Sequence, residues 1–183
     1  PVHPRAGAEN TAATLQLAVT EAARRGLPLV VASTRGPTGE AALDLCRQRE
    51  VCLIVVSHNT GFSEPGAQEL DPAARQRLEQ GGARVLTATL PLRSLGTALR
   101  KVCGGSEQEI VNATLRMFAQ GAKVCVEMSA MVADAGLVAP NDDIVAVAGT
   151  VSGADTASIV RPRPSNRLFE IRVREILCKP ADW

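Results

Sequence analysis

Apolar residues fall into two alternating rhythms along this chain. Continuous runs rich in Val, Leu and Ile recur at LPLVVAS (27–33), VCLIVVS (51–57), ARVLTATL (83–90) and NDDIVAVAGT (141–150), each bounded by glycine or polar turns. Such runs predict strands buried on both faces of a parallel sheet. The intervening segments carry helical spacing. Residues 9–25 place Leu15, Ala18, Val19 and Ala22 on one face, with Asn10 or Thr11 as cap and Gly26 as stop. EAALDLCRQR is a second helical stretch, and DPAARQRLEQG a third, with Asp71 as N-cap, Pro72 in the first turn and Gly81 beyond the end.

From 91 to 140 no strand signal appears. SEQEIVNATLRMFAQG carries a capping box, Ser106 with Glu109, and an apolar stripe of Ile110, Ala113, Leu115 and Phe118. AKVCVEMSAMVADAG continues helically, its two Met side chains filling core. Near the end, LFEIRVRE alternates Phe169, Ile171 and Val173 against Glu170, Arg172 and Arg174, which predicts a half-exposed edge strand antiparallel to the others. RPRPSNR (161–167) is the one linker-like stretch, extended by its prolines, and reads as a solvated face or subunit contact.

Strands alternating with helices imply an α/β fold with right-handed crossovers and helices on both sheet faces. With 183 residues and no repeat, the chain reads as a single domain over 1–183. Lys plus Arg number 20 against 19 for Asp plus Glu, and aromatics are scarce, so a nucleic-acid partner is not expected. The five cysteines show no CxxC spacing, which argues against a disulfide framework or a metal site and suits reduced thiols in a cytoplasmic protein. No apolar run is long enough to span a membrane. The chain opens at Pro1 rather than Met, so a further upstream segment is one expectation.

Candidate chemistry gathers where the strands end. STRGPTG, SHNTGF, TATLPLRS and GTVSGADT follow the four runs, and in an open parallel sheet such ends share one edge, where ligands bind. In the first, Ser33, Thr34 and Thr38 supply hydroxyls, Gly36 and Gly39 admit close backbone approach, and Arg35 supplies positive charge at a helix start. This reads as a phosphate cradle; the alternative is plain helix capping, since Pro37 removes a donor and Glu40 can answer the dipole. The lack of a GK[ST] ending excludes a Walker loop. In the last, Gly149, Thr150, Gly153, Ala154 and Thr156 offer backbone and hydroxyls, with Asp155 as an acceptor for sugar-type hydroxyls or as an ordinary turn residue. The second loop contributes His58, Asn59, Gly61 and Phe62. His58 and Glu127 are the candidate acid/base groups, each with a structural alternative, and Phe62 either stacks on a planar ligand or plugs its loop into the core.

The succession AENTAATLQLA, VVASTRGPTGEAAL, VVSHNTGFSEPGAQEL, AKVCVEMSAMVADAGL, AVAGTVSGADTASIV and FEIRVREILCKP resembles stand-alone proteins with the fold of the pyruvate kinase C-terminal domain. The resemblance implies a three-layer α/β/α domain whose mostly parallel five-stranded sheet has the order 3-2-1-4-5, the last strand antiparallel. It further implies an effector-phosphate turn at Ser33–Gly39, a loop at Gly149–Thr156 that closes over the ligand, and flavin mononucleotide (FMN) as cofactor at the same edge. The catalytic barrel is absent, so pyruvate kinase activity is not expected.

The leading expectation is therefore a domain that binds a phosphorylated small molecule, FMN foremost. An enzyme using that ligand, or a regulatory subunit with a vestigial pocket, are the alternatives. Near-zero net charge and the edge strand also point to a homo-oligomer.

Overall fold

The four apolar runs become four neighbouring parallel strands in this computed structural model, the third of them an edge strand only partly buried rather than buried on both faces. The structure describes residues 1–139 and 141–183, and Pro140, the last residue of the stretch read as strandless, lies outside them. In chain order the strands are β1 (Val2–Arg5), β2 (Leu29–Ala32), β3 (Leu53–Ser57), β4 (Arg84–Thr87), β5 (Ile144–Ala148), β6 (Thr156–Arg161) and β7 (Arg172–Asp182). The helices are α1 (Thr11–Arg25), α2 (Pro37–Gln48), α3 (Pro72–Gln80), α4 (Arg93–Cys103), α5 (Glu107–Arg116) and α6 (Gln120–Asp134).

The seven strands lie in the order β1-β7-β6-β5-β2-β3-β4. β4, β3, β2 and β5 pair in parallel, which reproduces the expected 3-2-1-4 neighbourhood. The fifth position departs from expectation. β6 occupies it, antiparallel to β5, and β7 follows antiparallel to β6, so β7 runs with the parallel strands and only β6 opposes them. β7 is no edge either, because β1 pairs beyond it. The period-two reading of 168–175 also began too early: Ser165–Glu170 form a 3-10 turn, and β7 buries its later residues Leu177 and Cys178 rather than Phe169 or Val173. The linker-like 161–167 runs from the last residue of β6 through an irregular 162–164 into that turn.

Alternate strand residues feed two cores, as a pleated strand requires. Leu29, Val31 and Val55 pack with Leu15, Val19, Leu43 and Leu78 of α1, α2 and α3. Val30, Ile54 and Ile144 pack on the other face with Cys125, Met128 and Met131 of α6, so both methionines are core filler. Asp71 caps α3, its carboxylate accepting the Ala73 and Ala74 amides, and Ser106 caps α5 by accepting the Glu109 amide. The stripe of α5 is the exception: Ile110 and Phe118 are exposed, and Asn112 is the buried residue of that helix.

Candidate functional site at the strand ends

Strand order reverses between β2 and β5: the chain steps from β2 outward to β3 and β4, then returns to β5 on the other side of β2. The crevice at such a reversal, beyond the carboxyl ends of the strands, is where open α/β sheets hold ligands. The loops after β2 and β5 flank it.

After β2 the chain enters α2 through Gly36, whose φ of 122° lies in the region that favours glycine. A Cβ there would meet the Ala74 Cβ at 2.5 Å, so both conformation and space demand glycine. Gly39 lets α2 approach β3, where a Cβ would press on Val55 at 3.1 Å. The Gly39 amide donates to the Ser33 hydroxyl at 3.1 Å, which ties the loop to the helix start. Pro37 sits in the first turn and no side chain caps α2 at Gly36. Glu40 is held by Arg77 of α3 at 2.5 Å. Among the described residues, the side chains of Thr34, Arg35 and Thr38 make no hydrogen bond or ion pair, and Arg35 is exposed. The start of α2 therefore offers a free guanidinium and two free hydroxyls, beside a helix terminus whose Gly39 amide is already answered by Ser33 and whose first turn carries Glu40.

The loop after β3 is organised around His58. Its Nδ1 lies 2.8 Å from a Glu69 carboxylate oxygen, and its ring packs 4.0 Å from that of Phe62. The Arg93 guanidinium covers the Phe62 ring at 5.6 Å. Phe62 also packs against the α6-side core, which is the reading in which it plugs its loop, and its ring is tilted against His58 and covered by Arg93. Gly61 turns with φ 82°, and the Asn59 side-chain oxygen accepts from the Ser94 hydroxyl at 3.1 Å.

After β5 the loop closes on itself. Asp155, fully buried, accepts from the amides of Thr150 (3.0 Å) and Gly7 (3.3 Å) and from the Thr156 hydroxyl (2.8 Å). With three donors on two oxygens, this carboxylate holds the loop and the amino-terminal segment rather than standing open to a ligand hydroxyl. Ala154 donates to the Thr11 hydroxyl at 3.0 Å, and Gly153 (φ 70°) lies against Ala8 and Thr11. Gly149 backs onto the Gly153 carbonyl, and the Thr150 hydroxyl is buried without a partner.

Glu127 is 1% exposed and is ion-paired with Lys123, one turn earlier in α6. Its other oxygen accepts the Leu92 and Arg93 amides at 2.8 and 2.7 Å, which fixes the start of α4. Glu127 is therefore a buried, ion-paired carboxylate rather than a solvated one. Burial pulls the Lys123 ammonium below its ordinary range, against the attraction of Glu127. Sequence reasoning missed Lys123, Arg93 and Glu69. The i,i+4 spacing of Lys123 and Glu127 inside an otherwise apolar helix was a readable signal; Glu69, in a polar loop, left none.

Among the described residues no group of His, Cys, Asp and Glu is arranged to hold a metal, and no helix is long and apolar enough to cross a membrane. All five cysteines are free, with Cys46, Cys125 and Cys178 buried and Cys52 and Cys103 exposed.

No family model matches the chain. Among solved structures it is similar to a hydrogen sulfide-producing enzyme from Fusobacterium nucleatum, with 19% identity and a TM-score of 0.31 over 54% of this chain and 30% of that one. It is also similar to an O-ureido-L-serine synthase, with 18% identity and a TM-score of 0.31 over 67% of this chain and 38% of that one. The chain thus spans well under half the length of either protein. Likeness of this degree assigns neither family nor chemistry.

Proposed function

We propose that this chain binds a phosphorylated small molecule at the carboxyl edge of its sheet, with FMN the leading ligand. The carrying observation is the start of α2 beside the β2/β5 reversal, where Thr34, Arg35 and Thr38 stand uncommitted. Phosphate sits over Ser33–Gly39, and the planar part of the ligand lies toward His58, Phe62 and the 149–156 loop. The residues suit the group: Thr34, Arg35 and Thr38 supply hydroxyls and positive charge for a phosphate, and the half-buried Phe62 ring lies at the same edge. When bound, FMN would supply redox chemistry; the chain's own groups bind and orient it. The resemblance to the pyruvate kinase C-terminal domain supports the same placement, without kinase activity. Five free thiols fit the expected cytoplasmic setting.

An enzymatic role is the second reading, favoured by the His58–Glu69 pair. Glu69 occupies Nδ1, and Nε2 has no hydrogen bond among the described residues, which is the arrangement of an oriented base. Absorbance and fluorescence titration of the purified chain with FMN tests the first reading: a perturbed flavin band that Arg35→Ala weakens supports it, and an unperturbed spectrum at all ratios removes FMN. Turnover lost on His58→Ala with the flavin band retained would support the second.

A further inference from the structure

The hairpin of α4 and α5 carries its apolar stripes outward. In α4, Leu95 and Val102 are 53% and 86% exposed, and Gly96, seated against Gln108, is the one residue of that helix that is buried. In α5, Ile110 is 69% exposed. A cleft of about 690 Å³ opens between the two helices and includes Ile110. A second, of about 380 Å³, runs from Ile110 to Phe169 and Val173, so one apolar face continues from α4 across α5 to the 3-10 turn and β7. Phe169 is 81% exposed and Met117 74%.

Solvent-facing apolar surface of this continuity is uncommon on a monomer, where patches above a few hundred Å² mark contact sites. An aromatic side chain presents on the order of 150–250 Å². With Leu95, Val102, Ile110, Met117 and Val173 also exposed, the face reaches the order of ~800 Å² that each partner contributes to a standard-size interface.

The charges around it are self-complementary. α4 carries cations and no acid, while the first turn of α5 carries Glu107 and Glu109. Arg100 and Glu109 meet within the chain at 3.6 Å, whereas Lys101 and Glu107 make no ion pair or hydrogen bond among the described residues. A two-fold axis that lays the last turn of α4 against the first turn of α5 in a second copy pairs Lys101 with Glu107 twice, as an isologous interface requires. A partner of one charge sign would satisfy half of this pattern.

We propose that the α4–α5 face, continued by Phe169 and Val173, is the interface of a two-fold dimer of this chain. Sedimentation equilibrium of the full chain tests it. The expected result is a reversible species of twice the chain mass, converted to monomer by Ile110→Glu with an unchanged circular dichroism spectrum. Lys101→Glu and Glu107→Lys should each weaken association roughly tenfold, since each removes two ion pairs, and the double variant should restore it. A monomer at every concentration, or a dimer unmoved by Ile110→Glu, overturns the proposal. A monomer that co-sediments with phosphatidylcholine vesicles overturns it in favour of a lipid surface.

Discussion

Lys123 and Glu127, one turn apart in α6, form an ion pair whose side chains are 3% and 1% exposed. The pair couples the start of α4 to the helix behind the sheet, because Glu127 also holds the Leu92 and Arg93 amides. Removing one partner of a buried pair leaves the other charge uncompensated, whereas replacing both can be neutral. Lys123→Met alone should therefore lower unfolding free energy by about 3–5 kcal/mol. Adding Glu127→Gln, which keeps an oxygen for the two amides, should recover most of that loss. Urea denaturation of the single and double variants measures both, and a double variant as unstable as the single would contradict this account.

Alkaline pH should weaken the fold through its buried thiols. Burial pushes the Cys46 thiol from 9.0 up to about 12, and raises Cys125 and Cys178 as well. With folded values above the unfolded one, this stabilisation is complete below pH 9 and is lost as pH rises toward the folded values. The lowered Lys123 works in the opposite sense, its burden easing as pH approaches 10.5, but three thiols outweigh one ammonium. Each thiol contributes a slope of about 1.4 kcal/mol per pH unit in that window. Cys46→Ala should flatten the measured decline by about that amount, and an unchanged slope would show that Cys46 does not drive it.

Gly36→Ala should damage both fold and site. Its φ of 122° and the 2.5 Å approach to Ala74 leave no relaxed place for a methyl group. A loss of about 1–3 kcal/mol is expected from the backbone conformation alone, read as a lowered thermal midpoint. A midpoint equal to the parent's would mean that α2 can begin without this turn.

Asp155→Asn should loosen two segments at once. The amide can replace one accepting oxygen but places donors against donors at the other, among Thr150, Gly7 and Thr156. Faster hydrogen exchange is expected at the Thr150 and Gly7 amides together. Acceleration at Thr150 alone would show that the amino-terminal segment is held by other contacts.

The legible parts of this molecule were those with strong local patterns. Leu29–Ala32, Leu53–Ser57 and Ile144–Ala148 are buried on both faces, and their unbroken apolar runs announced it; Asp71 and Ser106 cap helices where their spacing said they would. β6 was passed over because TASIVR is small and polar at Thr156 and Ser158, residues whose burial follows from pairing on both sides rather than from local hydropathy. β1 is four residues containing a proline, and exists through its pairing to β7. The alternation of Phe169, Ile171 and Val173 did not mark one strand, because Phe169 lies in the 3-10 turn. Phe169, Val173 and Ile110 are exposed while Ile171 packs on the core, and a periodic pattern names an apolar face without saying what covers it. At the site, the glycines and hydroxyls of 33–39 were visible as types. That Arg35 stays free while Asp155 is consumed by its own loop depends on partners distant in sequence.

The central claim is that a phosphate group is held where α2 begins. Parallel titrations with FMN and riboflavin, which differ by that phosphate, test it most directly by flavin fluorescence. FMN should bind roughly ten- to a hundredfold more tightly, as a charge-assisted contact of ~1.5–3 kcal/mol requires, and Arg35→Ala should erase the difference while leaving riboflavin binding intact. Equal affinity for the two flavins, or a preference that survives Arg35→Ala, would contradict the placement.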